Sequence, residues 1–288
     1  MKLKHLIDQP EKLPTISKVG QQLIASFRDE DVSSSQIAAQ ISLDPALSAR
    51  VLRLANSAYF RVPRTISTVA AALDVLGLVM VRNLVIGCTV AAAFKATPGL
   101  DLKQFWRYNL YTACAARWLA GQAEVDADEV FTLGVLHGIG QLHMHVVMPT
   151  ELVALNRQMS VLDTRRAQLE LDIFGFHYGD VSAELAQVWN FPLPLVDALR
   201  HVAQPLAAPT FSESAAWVHL GSWRAGVEVL GLGYKTQLDS YPVAVARRLH
   251  LPLEPDWPSA LSTSGHRDAR GVMPPLSDLS HGLEALFE

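Results

Sequence analysis

The chain has 288 residues, half of them apolar, with 24 basic and 28 acidic side chains and a formal net charge of −4. That composition supplies enough apolar surface for one large core or two smaller ones, argues against a disordered chain, and gives no general attraction to nucleic acid or anionic membrane, so neither is expected as a direct partner. Two cysteines, Cys88 and Cys114, lie apart without a CxxC partner, which argues against a disulfide framework or a zinc finger and fits a reducing cytoplasm.

Apolar residues recur at three- and four-residue spacing almost throughout, and strict alternation is scarce, so the expected fold class is all-α. The N-terminal stretch MKLKHLIDQPEKLP lacks the long apolar run and small-residue cleavage site of a signal peptide. Ser33 and Gln36 have capping-box spacing, after the acidic loop FRDEDVSS. Asp44-Pro45 sets an N-cap acceptor before a proline, and the helix it opens carries Leu47, Val51, Leu54, Ala55 and Ala58 on one face. Beyond the turn RVPRTIS, with Ser67 as candidate cap, a second helix is expected to end at Leu76. Gly77 separates it from a third, LVMVRNLVIGCTVAAAF. Asp74, Gly77, Arg82 and Asn83 interrupt this apolar region, so a buried helix pair is expected in place of a membrane span.

TPGLD, residues 97–101, is the best internal boundary, with Asp101 able to cap the next helix. It divides an N-terminal helical subdomain, 1–98, from a second helical subdomain, 99–250. The latter opens with QFWRYNLYTACAARWLA and continues through one long helix, DADEVFTLGVLHGIGQLHMHVVM. Three or four shorter helices follow, punctuated by Pro149, Gly175, Gly179, Pro192 and Pro194, then helices near 212–230 and 241–249. Residues 251–288 form a Pro/Ser/Gly-rich tail in which LSDLSHGLEALFE could make a short docking helix, either dimerising or burying against its own core.

Chemical motifs are sparse. GxSxG, Walker and strand-associated GxGxxG patterns are absent, and GLGYKT at 231–236 has the wrong gap for a phosphate loop and is expected to end a helix. Trp106, Trp118, Trp189 and Trp217 sit in helical patterns and are expected in the core. His137, Gln141 and His145 share one broad helical face, with His143 opposite, but an i, i+8 histidine pair lies about 12 Å apart along a helix, too far to bind one ion. No HExxH occurs, and each histidine alone is expected to be a hydrogen-bonded core or surface residue.

The segments LPTISKVGQQLI, DPALSARVLRLANSAYF, ISTVAAALDVLG, GVLHGIGQL and FGFHYGDVSAELAQVWNFP together resemble the HDOD family of bacterial signalling domains, relatives of the HD-type metal phosphohydrolases, from about Leu13 to about Leu230. The resemblance implies an N-terminal helical bundle packed on an HD-like bundle, and a regulatory role beside two-component or cyclic-di-GMP signalling proteins, reached through separate partners. Catalytic HD relatives need histidines and bridging aspartates, because hard divalent ions require carboxylate and imidazole together. In this chain the early histidine falls at Tyr108. His137 keeps the first half of the doublet, but Gly138 replaces its aspartate. Tyr178 stands at a further histidine position, Val202 and Ala203 at a histidine pair, and Ser222 at the late aspartate.

The resemblance with these replacements implies a degenerate site, no cofactor and no turnover. Two other readings stay open. One is a divergent phosphohydrolase acting on a nucleotide or cyclic dinucleotide, with His137 and His177, His201 or His145 as ligands. The other is a nucleotide sensor whose pocket is lined by His137, Tyr108, Tyr178 and Arg107 or Arg200.

Overall fold

A computed structural model describes residues 3–9, 11–26, 32–56, 62, 65–94, 96–121, 123, 125–253 and 273–284. Regular structure among them is entirely helical. The first half forms α1 (Leu3–Ile7), α2 (Lys18–Ala25), α3 (Ser34–Ser42), α4 (Pro45–Ala55), α5 (Val69–Leu76) and α6 (Leu78–Ala93). Its starts follow local chemistry. Ser33 and Gln36 close a full capping box on α3, and Asp44 accepts from the amides of Ala46 and Leu47 ahead of Pro45. At α5 the cap is Thr68, whose hydroxyl accepts from Ala71 N, and not Ser67, one residue earlier. Gly77 takes φ +84°, a conformation that turns α6 by 114° from α5, so the apolar stretch is a bent, buried pair. Leu47, Val51, Leu54 and Ala55 are buried as the stripe requires, while Ala58 lies outside the described residues, as do residues 27–31 of FRDEDVSS and residues 61, 63 and 64 of RVPRTIS.

The second half is built on α7 (Leu102–Ala120), capped by Asp101. It is followed by α8 (Ala127–Leu136), α9 (Ile139–Val147), α10 (Pro149–Asn156), α11 (Arg166–Phe174), α12 (Tyr178–Val188) and α13 (Leu193–His201), then a 3-10 turn at Pro205–Ala207, α14 (Glu213–Leu230), α15 (Tyr234–Ser240), α16 (Val243–Arg248) and α17 (Leu276–Leu279). Helix α7 is sandwiched between α8 and α14. The approach is close because Gly134 and Gly221 face it: a Cβ at either would fall 2.6 Å from Ala113 Cα or 2.7 Å from Thr112 O.

Three expectations need correction. The segment 127–147 is two helices, broken at His137-Gly138, because the Gly138 amide turns to a side chain of α7. Gly179 lies inside the first turn of α12 and does not end a helix. GLGYKT ends α14 at an αL Gly231, as expected, but Tyr234 then opens the unanticipated α15. The 127–147 stretch is long and apolar enough to cross a bilayer, yet 94% of its most apolar window is buried inside the protein.

One continuous set of buried side chains runs from Leu6 to Leu283. Helix α6 packs on α8 and α1 on α12, and Trp189 Nε1 donates to Pro14 O at 3.3 Å, so the two halves share this interior. Among the tryptophans, Trp106 and Trp217 are buried, while Trp118 and Trp189 are only partly covered. Cys88 and Cys114 are separate free thiols, raised by burial to about 11 and about 12 and so held protonated and unreactive. The tail returns to this core: α17 docks on α7, burying Leu276, and the Glu228 carboxylate of α14 accepts from the amides of Leu276 and Ser277 at its start.

Candidate functional site

The break between α8 and α9 is held from three sides. His137, the C-cap residue just past α8, turns its ring back so that Nδ1–H donates to Gly134 O at 2.6 Å. The Gly138 amide donates to Asn109 Oδ1 of α7 at 3.2 Å, and Asn109 Nδ2 donates to Phe105 O. From α12, the Ser182 hydroxyl donates to His137 O and accepts from Gly140 N, each at 2.9 Å. The turn is thereby pinned to two neighbouring helices.

Around His137 stand Tyr108, with ring centroids 5.6 Å apart, and the His219 imidazole, close enough to disfavour a second positive charge. Burial pushes His137 down to about 4 and Tyr108 up to about 12, so both are neutral at physiological pH. Burial also lowers His219, whose Nδ1–H donates to Val202 O at 2.9 Å. His219 escaped the sequence reading; it lies one helical turn before Ser222, and Ser222 Oγ donates to His219 O.

An HD-type metal does not fit this arrangement. Gly138 has φ −90° and ψ 0°, which any residue can adopt, so the backbone does not demand glycine; the space does. A Cβ there would lie 2.7 Å from Asn109 Oδ1 and 2.9 Å from Phe105 Cζ, so an aspartate would fit only if those two side-chain ends moved aside. Tyr108 is a protonated phenol, Ser222 is turned to a carbonyl, and Val202 is a fully buried apolar residue. Among the described residues, no group of three or more His, Cys, Asp or Glu side chains is arranged to hold a metal ion. The HD-type site is degenerate in geometry as well as in residue type. Neutral imidazoles and phenols can hydrogen-bond here, but they supply no negative charge for a hard cation.

The other candidate ligands have structural employment elsewhere. His177 caps α12, its Nδ1 accepting from Gly179 N at 3.0 Å while Asp180 Oδ2 accepts from the His177 amide. His201 is half-exposed and bonds the Asp197 carbonyl on its own helix. Arg200 pairs with Glu184 at 3.0 Å and Asp180 at 3.6 Å, tying α13 to α12. Tyr178 comes close to Tyr108, and both lie near the turn. Arg107 does not join them: it is exposed on another face of α7.

A second polar centre was missed entirely. Arg166 and Glu170, one turn apart on α11, are fully buried and paired at 2.9 Å. Glu170 also accepts from Gln141 Nε2 and from the Tyr178 amide, both at 2.8 Å. Arg166 further donates to Met159 O and to Asn156 Oδ1, and Asn156 Nδ2 donates to His145 Nε2 at 2.9 Å and to Gly99 O at 3.1 Å. Desolvation raises the Glu170 carboxyl, whereas three N–H donors on its oxygens favour the ionised form. His145 is lowered by burial to about 4. The network ties α9, α10, α11 and α12 together. In sequence, RRAQLELD looks like an ordinary solvated helix face, and nothing local signals that Gln141, 29 residues earlier, will meet it.

A model of the HDOD domain matches residues 13–205. A crystal structure from Shewanella amazonensis SB2B, named "Putative phosphohydrolase", is 26% identical, covers 98% of this chain and 96% of its own, and superposes with a TM-score of 0.69. An HDOD domain protein with unknown function from Geobacter sulfurreducens, 23% identical over 85% of this chain and 86% of its own, gives 0.68 and shows the fold alone. An uncharacterized protein of Treponema pallidum (strain Nichols) is 26% identical over 198 residues, 68% of this chain, and the chain spans 38% of that relative's length.

Proposed function

We propose that this chain, which belongs to the HDOD domain family, is a cytoplasmic regulatory protein that works by binding signalling partners and performs no hydrolysis at its former HD position. The observation that carries this reading is the crowding at Gly138: the doublet's aspartate is not merely replaced, because the side-chain ends of Asn109 and Phe105 now stand within 3 Å of where its Cβ would be. A site that had lost one ligand but kept its cavity would suggest a shifted metal; a site packed shut suggests that the helix junction now serves the fold.

Within the same proposal, residues 1–98 and 99–250 act as two helical subdomains, with 251–288 as a tail fastened by α17. Two-component or cyclic-di-GMP pathway proteins are the partners that family membership suggests, and a nucleotide remains a candidate ligand. The name carried by the Shewanella relative favours a second reading, a divergent phosphohydrolase using His137.

The deciding experiment is metal analysis of protein purified without chelator, together with hydrolysis assays on a cyclic dinucleotide and a generic phosphodiester. The regulatory reading expects substoichiometric metal and no turnover attributable to the chain. Stoichiometric iron, manganese or zinc, with turnover abolished by His137→Ala, would overturn it.

A further inference from the structure

Where α4, the end of α6, the start of α7 and the C-terminal turn meet, the surface opens into a cavity of about 490 Å³. Its floor is apolar: Phe94, Trp106, Leu110 and Leu102, with the small side chains of Ala91 and Ala92 leaving the width. Among the described residues its rim is cationic, with Arg50, Lys103 and Arg107 against a single acid, Glu284. The Glu284 carboxylate is already engaged within its own turn, accepting from the Ser280 hydroxyl and from Gly282 N. We propose that this cavity binds an amphipathic organic anion, its apolar body on Trp106 and Phe94 and its carboxylate or phosphate on Lys103 and Arg107, with Arg50 completing the cationic side.

Three features argue for a ligand rather than ordinary surface. The volume falls within the roughly 300–1,000 Å³ of small-molecule sites. Lys103 and Arg107 have no ion pair or hydrogen bond among the described residues, although Arg50 also bonds the Cys88 sulfur. Finally, their placement opposes helix stability: Lys103 lies in the first turn of α7, where the helix dipole disfavours cations, and Arg107 follows at i+4 as a like charge. Cations set against local helix preference, beside an apolar floor at a helix N-terminus, match the charge of an anion. This inference goes beyond the regulatory reading and does not depend on it, since the cavity and the His137 turn lie on different faces of α7.

The test uses the full chain and anilinonaphthalene sulfonate, a planar apolar anion whose emission rises on binding. One equivalent is expected to bind, displaced by decanoate or by adenosine monophosphate but not by decanol at the same concentration. Displacement by decanoate alone identifies an acyl carboxylate as the natural chemistry, and by the nucleotide alone a phosphate. The double variant K103E/R107E is expected to weaken binding about tenfold or more by reversing the rim charge. Ala92→Trp, at an exposed position, should block the cavity without touching the charges. Affinity within about twofold of the parent in either variant, equal competition by decanol, or displacement by neither acid would each overturn the proposal.

Discussion

The two faces of α7 have opposite chemistry. On one, Phe105, Tyr108 and Asn109 press into the α8–α9 turn, where the polar groups meet one another or a backbone carbonyl and the imidazoles are neutral. On the other, Lys103, Trp106 and Arg107 border an open cavity, and the two cations make no ion pair or hydrogen bond among the described residues. The face at the degenerate HD-type position is the closed one. Family position and present opportunity for binding have therefore separated on a single helix, and the open face is where ligand chemistry should be sought.

That contrast is most severely tested at the interior end, in the network that stiffens the helices around the turn. Glu170→Leu would leave the Arg166 guanidinium fully buried without its counter-ion and the Tyr178 amide without an acceptor. Breaking a buried pair from one side costs about 3–5 kcal/mol, so a large fall in the urea midpoint is expected at unchanged denaturant slope. A loss below about 1 kcal/mol would mean that water reaches Arg166 and that the interior is not closed.

Acid probes the same face more gently. His137 and His145 are each lowered by burial from an ordinary 6.5 to about 4, and His143, His177 and His219 are lowered in the same direction. For a histidine lowered on folding, the unfolded chain binds the proton more readily. Its contribution to stability is complete above pH 6.5 and is lost as pH falls toward 4. Glu129 and Glu170, raised by burial, act in the opposite sense, so the histidine effect is best isolated by difference. Denaturation of the parent and of His137→Gln between pH 7 and 4.5 should show the parent losing up to about 1.4 kcal/mol more per pH unit below 6.5, the slope of one proton. Parallel curves would place His137 in contact with solvent.

Much of the helical frame was legible because its signals are local. The Ser33 box, the Asp44-Pro45 start and the Asp101 cap depend on residues within one turn, and all three form. The degenerate metal position was legible as a residue type, Gly138 in place of aspartate. Its physical meaning was not, because the filling atoms come from Phe105 and Asn109 on another helix. For the same reason the 127–147 segment looked like one helix: periodicity cannot reveal that a side chain of α7 will take the Gly138 amide. Arg107 was grouped with the former HD pocket from its neighbour Tyr108, yet adjacent residues on a helix point about 100° apart, and it faces the cavity instead. The Arg166–Glu170 pair was invisible since an i, i+4 ion pair has the same sequence whether it is solvated or buried.

The smallest expected effect is the sharpest discriminator of the open face. Lys103 and Arg107 are exposed, unpaired among the described residues and unfavourably placed for α7, so K103A/R107A should leave unfolding free energy within about 0.5 kcal/mol of the parent, with any change toward greater stability. Alanine also has the higher helix propensity, which pushes the same way. If the double variant instead lost more than about 1 kcal/mol in chemical denaturation, the two cations would be holding the C-terminal turn or α4 in place, and the rim would be a structural seam. A neutral or stabilising result would mean that α7 carries charge on its open face at the fold's expense, the pattern expected where residues are retained for binding.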